Sequence, residues 1–267
     1  MLIFSILFLS SYFSTAIPVE SFPKTEILIV MRSTKSNLNS RVQLALDTWS
    51  PKALAQTILL TDRTEVDFSE KKLRRVETTN CGSGHSRNDL TCKVQRAIQL
   101  AAETKAKWFC HVDDDTFVNF EKLEKLLASF DSSKMMYVGK QSIPQGIKIT
   151  NAKTIHFATG GAGWCLSKHL VSKLTFKNLM EEAKRLGLPD DVTVGALVQD
   201  LGVPMTDVNA FHSHLEGLQW LNSPENEISL SYPPEALQNG NFERSIRYAS
   251  STDPTGLLTL SRKMSKL

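Results

Sequence analysis

Residues 26–31, EILIVM, form a short apolar run of strand length. The polar stretch STKSNLNS follows, and then Val42, Leu44, Ala45, Leu46 and Trp49 fall at helical spacing until Pro51 closes the segment. The pattern predicts a strand, a loop and a helix. A second strand is predicted at 57–61, stopping at Asp62 and Arg63, and a helix over 89–104 with Leu90, Val94, Ala97, Ile98 and Ala101 along one face. Residues 108–112 read as a strand, 121–128 as a helix and 135–139 as a strand. A further helix should begin near Asp190, where the Asp-Asp pair supplies an N-cap and negative charge for the first turn. Alternating strands and helices predict an α/β fold with a mostly parallel central sheet and helices on both faces. Such sheets bind ligands beyond the carboxyl ends of their strands, which places Asp62 and the Asp113, Asp114, Asp115 triplet on one rim.

Composition narrows the class. With 267 residues, 41% hydrophobic and 22% charged, the chain is long and apolar enough for one large α/β domain. The net charge of +3 comes without a long basic run, so no nucleic-acid footprint is expected. No internal repeat or linker divides residues 21–267, which read as a single domain with a C-terminal extension. Residues 2–9 open an apolar leader, and 1–20 read as a signal peptide, or a signal anchor if retained; a buried terminal element is the other reading. Four cysteines, an even number, suit an oxidising compartment. Of three possible pairings, Cys81 with Cys92 and Cys110 with Cys165 are favoured. The first closes a short loop, and the second ties the acidic strand to a Gly-rich segment.

The triplet raises the main chemical question, because adjacent carboxylates each raise the cost of ionising the next. Either solvent covers three acidic turn residues, or a hard cation such as Mn²⁺ or Mg²⁺ joins them to a diphosphate. Three other segments bear on this. In PDDVTVG, residues 189–195, Asp190 reads as a cap, and Asp191 is either a second helix-start charge or a general base facing the cleft. In FHSHLE, residues 211–216, His212 and His214 would share one face of an extended segment, so either could reach a metal. GGAG, residues 160–163, is a tight turn or a place of close backbone approach to a ligand, but not a P-loop or a dinucleotide fingerprint. Arg32, Arg41 and Arg63 lie near the same rim, where a diphosphate would need cations. His111 reads as a core residue.

In this order TILLTD, NCGSGHSRNDLTCK, KWFCHVDDDTFVN, FATGGAGWCLS, PDDVTVG and FHSHLE closely resemble the Fringe glycosyltransferases, from about residue 26 to 232. The resemblance implies a GT-A fold, Mn²⁺, and UDP-GlcNAc as donor. It further implies inverting β-1,3 transfer of GlcNAc to O-linked fucose on the EGF-like repeats of Notch-type receptors or their ligands. Asp114, Asp115 and His214 would be the metal ligands, Asp191 the catalytic base, and Arg41, Asp62 and Asp113 would lie at the nucleotide, with Gly160 and Gly161 shaping the sugar pocket. A Golgi protein, membrane-anchored or secreted after leader cleavage, would follow. Sister β-1,3-galactosyl- or glucosyltransferases share the DDD and GGAG features, and a non-catalytic glycan-binding protein is the alternative of another class. Two departures stand out: SNLNS before Arg41 lacks the family's aromatic-His pair, and no cysteine follows Tyr232.

Overall fold

The computed structural model describes residues 26–49, 51–62, 73–150 and 153–266. The leader and Arg63 lie outside the described residues. In chain order the strands are β1 (Ile27–Arg32), β2 (Thr57–Thr61), β3 (Arg75–Thr78), β4 (Trp108–Asp113), β5 (Thr116–Val118), β6 (Tyr137–Gly139), β7 (Ile147–Thr150), β8 (Lys153–Ile155), β9 (Trp164–Ser167), β10 (Met205–Asp207), β11 (Phe211–His212) and β12 (Ser229–Ser231). Seven of them form the central sheet in the order β10-β6-β9-β4-β1-β2-β3. All its pairings are parallel except those of β9, which runs against both β4 and β6. The helices are α1 (Gln43–Thr48), α2 (Pro51–Ala55), α3 (Arg87–Ala102), α4 (Phe120–Ala128), α5 (Lys168–Leu174), α6 (Leu179–Leu186), α7 (Asp190–Asp200), α8 (Pro234–Asn239) and α9 (Leu257–Met264).

The continuous apolar runs of β1 and β4 follow from burial on both faces. Ile27, Ile29 and Met31 point into one core with Val42, Leu46, Leu123, Leu127 and Leu260, whereas Leu28 and Val30 join Val94, Ala97, Ile98, Leu170 and Val194 on the other side. Helices therefore cover both faces of the sheet, as the alternation predicts. Among the described residues no helix is long and apolar enough to cross a membrane.

Both favoured disulfides are present. Cys110 and Cys165 are direct partners across the antiparallel β4–β9 pair, with Cα atoms 4.0 Å apart. Replacing both with Ala should lower the unfolding free energy by about 4 kcal/mol, since this bond closes a loop spanning 55 residues. Urea denaturation of the double variant measures that loss.

Some elements differ from the sequence reading. Between the strand read at 108–112 and the helix read at 121–128 lies a further strand: Asp114 and Asp115 form a turn between β4 and β5, and β5 pairs with β12 in a small sheet of order β11-β12-β5. The helix predicted at 41–49 is α-helical only from Gln43, after a π-helical turn over Leu38–Val42. The tail beyond Tyr232 buries Ala236, Ile246, Leu257 and Leu260 in the core beneath this small sheet.

Candidate active site

The triplet lies at the carboxyl end of β4, beside the ends of β1 and β2. Asp113 pairs with Arg32, whereas Asp114 and Asp115 share Arg41. Asp113 Oδ1 accepts Arg32 Nε at 2.8 Å. Asp114 Oδ2 accepts Ser33 Oγ at 2.7 Å and Asn37 Nδ2 at 2.9 Å. Arg41 Nη1 lies 2.9 Å from Asp115 Oδ2 and 3.4 Å from Asp114 Oδ1. Burial alone would lower the pKa of this guanidinium, but Asp115 and Asp114 outweigh burial and raise it. Asp115 is only 7% exposed, and its Oδ1 is buried with no hydrogen-bond partner. Burial, then the charges of Asp113 and Asp114, push its carboxyl up to about 8.

Asp190 does not cap α7. Pro189 holds the N-cap position, and the Asp190 carboxylate instead pairs with Arg32 Nη1. Its negative charge still lies in the first turn. Burial disfavours the charged form of Asp190, yet Arg32 more than offsets this and holds its pKa below the usual carboxylate value. Arg32, which the sequence reading offered to a diphosphate, is thus sandwiched between two carboxylates. It is a strut linking the ends of β1 and β4 to the start of α7.

Asp191 turns the other way. Its Oδ2 accepts the backbone N–H of Gly160 at 3.1 Å and its Oδ1 that of Val192 at 2.8 Å. Burial, followed by repulsion from Asp190, pushes its carboxyl up to about 6. The GGAG segment is a 3-10 turn over Gly160–Ala162, tied to the small sheet by Thr116 Oγ1 on the Gly161 carbonyl (3.1 Å) and Ser229 Oγ on that of Ala162. Only Gly163 needs its residue type for the backbone, with φ of 78° and Val112 2.9 Å from where a Cβ would sit. At Gly160 and Gly161 a Cβ would meet Asp191 at 3.6 Å and His214 Nδ1 at 3.8 Å, ordinary contact distances. Neither φ nor packing within the chain requires glycine there, so the bare backbone leaves room between Asp191 and His214.

The two histidines of FHSHLE are not equivalent. The segment is extended only over Phe211–His212 and then turns. His212 has Glu216 on one ring nitrogen (3.0 Å) and Glu227 on the other (3.1 Å), which removes it from any metal. His214 leans on Ser231, whose Oγ accepts its backbone N–H at 2.7 Å, and Ser231 pairs across the sheet with Thr116, the residue after Asp115. Burial, then Arg244, lower its pKa, which keeps the imidazole neutral. His111 is a core residue as expected, 1% exposed and stacked on Trp164 at 4.9 Å.

A cation fits the donor chemistry here: carboxylates, a neutral imidazole, and the partnerless Oδ1 of Asp115. Among the described residues no three His, Cys, Asp or Glu side chains are already grouped as a metal site, and the single charge of Arg41 is shared between Asp114 and Asp115. Asp62 lies on the same rim but is engaged from below by Lys93, with Nζ 3.0 Å from its Oδ1. Ser33, Asn37, Lys93 and Asp190 were not identified as site-building residues from the sequence. For Lys93 a signal existed: a lysine three residues after Leu90 and four before Ala97 falls on the apolar stripe of α3.

This architecture is the GT-A fold of glycosyltransferases. At the level of fold it is similar to the glycosyltransferase GlyE of Streptococcus pneumoniae TIGR4, with a TM-score of 0.53 over 91% of this chain and 64% of that one at 11% identity. The galactosyltransferase LgtC gives 0.51 over 86% and 95% at 12% identity. The Fringe-like family model matches residues 22–265, and the chain belongs to that family. The match reaches past Tyr232, where the motifs end, and takes in the tail that packs into the core. Among its relatives is the β-1,3-N-acetylglucosaminyltransferase lunatic fringe of Danio rerio, 38% identical over 230 residues, 80% of this chain and 62% of that protein. The Fringe glycosyltransferase of Drosophila melanogaster is 37% identical over 223 residues, 78% of this chain and 54% of that protein. The chain thus spans about three fifths of the length of such relatives.

Proposed function

We propose that the protein is an inverting, metal-assisted hexosyltransferase that moves GlcNAc from UDP-GlcNAc in β-1,3 linkage to O-linked fucose on EGF-like repeats of Notch-type receptors or their ligands. The observation that carries this reading is the half-buried Asp191 beside a bare glycine turn, next to an acidic rim where the buried Oδ1 of Asp115 has no hydrogen-bond partner. Family membership and the relatives' names support the reaction class.

Asp191 receives the proton of the acceptor hydroxyl as its oxygen bonds to the anomeric carbon and the bond to UDP breaks on the opposite side, a single displacement. The two backbone N–H groups on its carboxylate fix its direction. Gly160 and Gly161 admit the sugar ring. Arg41, Asp62 and Asp113 receive the nucleotide end. Asp114, Asp115 and His214 would hold Mn²⁺, which when bound supplies positive charge against the diphosphate. The two disulfides support a secretory route, with residues 1–20 as signal peptide or anchor, residues 21–267 as one catalytic domain with its extension, and the Golgi lumen as the place of action.

A donor screen tests the reading. With Mn²⁺ and an O-fucosylated EGF repeat, transfer is expected from UDP-GlcNAc and at most at trace level from UDP-Gal or UDP-Glc. Preference for either of the latter would make the protein a sister transferase, and no transfer from any donor would refute the enzyme reading.

A further inference from the structure

Lys93 is a lysine at 1% exposure, among the core residues of α3. Burying an ammonium is costly unless it is paired and hydrogen-bonded. Its Nζ donates to two acceptors on different strand ends: the carbonyl of Ser33 after β1 and Oδ1 of Asp62 after β2, both at 3.0 Å. The same Asp62 oxygen accepts the backbone N–H of Lys35 at 3.2 Å. Ser33 is also anchored elsewhere, by its hydroxyl on Asp114 and by its backbone N–H on the Leu60 carbonyl at 2.8 Å, so Asp62 is the acceptor that depends most on Lys93. The support beneath Lys93 is covalent: its neighbour Cys92 is bonded to Cys81, and in the loop they close, the Ser83 carbonyl accepts Thr34 Oγ1 at 2.8 Å. Burial alone would raise the pKa of Asp62, but hydrogen bonds from Thr34 and Lys93 lower it, so the carboxylate is held charged.

We propose that Lys93 is a positioning residue of the nucleotide end of the donor site, fixing the Asp62 carboxylate and the Ser33–Lys35 turn from below. The inference rests on the donor-site reading above. Lys93 touches neither the acidic triplet nor Asp191, so it acts on nucleotide affinity through Asp62 rather than on the chemical step.

A double-mutant cycle tests that route, with UDP plus Mn²⁺ as the calorimetric probe and thermal melting alongside. Lys93→Met should weaken UDP binding at least tenfold in the otherwise native protein and less than twofold in the Asp62→Asn background. In turnover the variant should raise the donor KM by a similar factor and leave kcat within about threefold. If Lys93→Met alone does not fold, Lys93→Gln, which keeps a hydrogen-bond donor, carries the cycle. Equal losses in both backgrounds, or unchanged UDP affinity in a native protein that binds UDP, would overturn the inference alone. Native protein that binds no UDP would overturn the donor-site reading and this inference with it.

Discussion

Asp191→Asn is expected to reduce transfer by at least about a hundredfold, the lower end of what a positioned general base contributes, while UDP binding and the fold persist. The substitution keeps an oxygen for the Val192 N–H and leaves the rim of acidic residues untouched. Its effect on stability has the opposite sign. The folded-state pKa of Asp191 is raised to about 6, so what it contributes to stability is fully present below its unfolded value of 3.8 and is lost as pH rises through 6. At pH 7 the ionised carboxylate costs on the order of 3 kcal/mol, and asparagine removes that cost. Asparagine also leaves the Gly160 N–H facing an amide NH2 in place of its acceptor, so the gain is partly offset and the variant should melt within a few degrees of the native protein. The same value fixes the pH profile of native activity: with Mn²⁺ and donor saturating, so that Asp115 is held ionised, kcat/KM for the acceptor should level off above about pH 6 and fall about tenfold per unit below it, because only the deprotonated Asp191 carboxylate accepts a proton. A variant with more than a tenth of native turnover would remove Asp191 from the mechanism.

Arg32→Met is expected to cost as much stability as loss of the Cys110–Cys165 bond. It leaves Asp113 and Asp190 without their shared counter-ion in a site already crowded by Asp114, Asp115 and Asp191. Breaking a buried ion pair from one side costs about 3–5 kcal/mol. For a chain of this length that corresponds to a fall in melting temperature of roughly 10 °C. Because the Asp190 pKa is depressed, the stability the pair supplies is fully present above the unfolded value of 3.8 and disappears as pH falls through the lower folded value. Adding Asp190→Asn to Arg32→Met should recover part of the loss, since one uncompensated carboxylate is then gone. Activity should fall along with stability, because the start of α7 that presents Asp191 loses its tie to the triplet. A melting temperature unchanged in Arg32→Met would mean that the two carboxylates do not depend on it.

What the sequence disclosed follows from where its signals are local. Strand β2 falls on the predicted residues 57–61, β1 and α3 lie within two residues of expectation, and α7 begins at Asp190. Apolar runs and helical stripes carry that information within ten or fifteen residues. The acidic triplet, the glycine turn and the short Cys81–Cys92 loop were legible for the same reason. Contacts between buried polar residues were not: Arg32 and Asp190 are 158 positions apart, and neither segment marks the other. The choice between His212 and His214 depended on Glu227, a residue on another segment that claims His212. The small sheet escaped notice because β11 and β12 are two and three residues long, too short to show a period.

Calorimetric titration of UDP-GlcNAc into the native protein, with Mn²⁺ and then after chelation, tests the central claim that a cation joins the acidic rim to the nucleotide phosphates. Binding should require Mn²⁺ and fall at least tenfold in Asp115→Asn, whose partnerless oxygen is the strongest sign of a missing counter-charge. Equal affinity with and without the metal, in native protein and variant alike, would contradict the account.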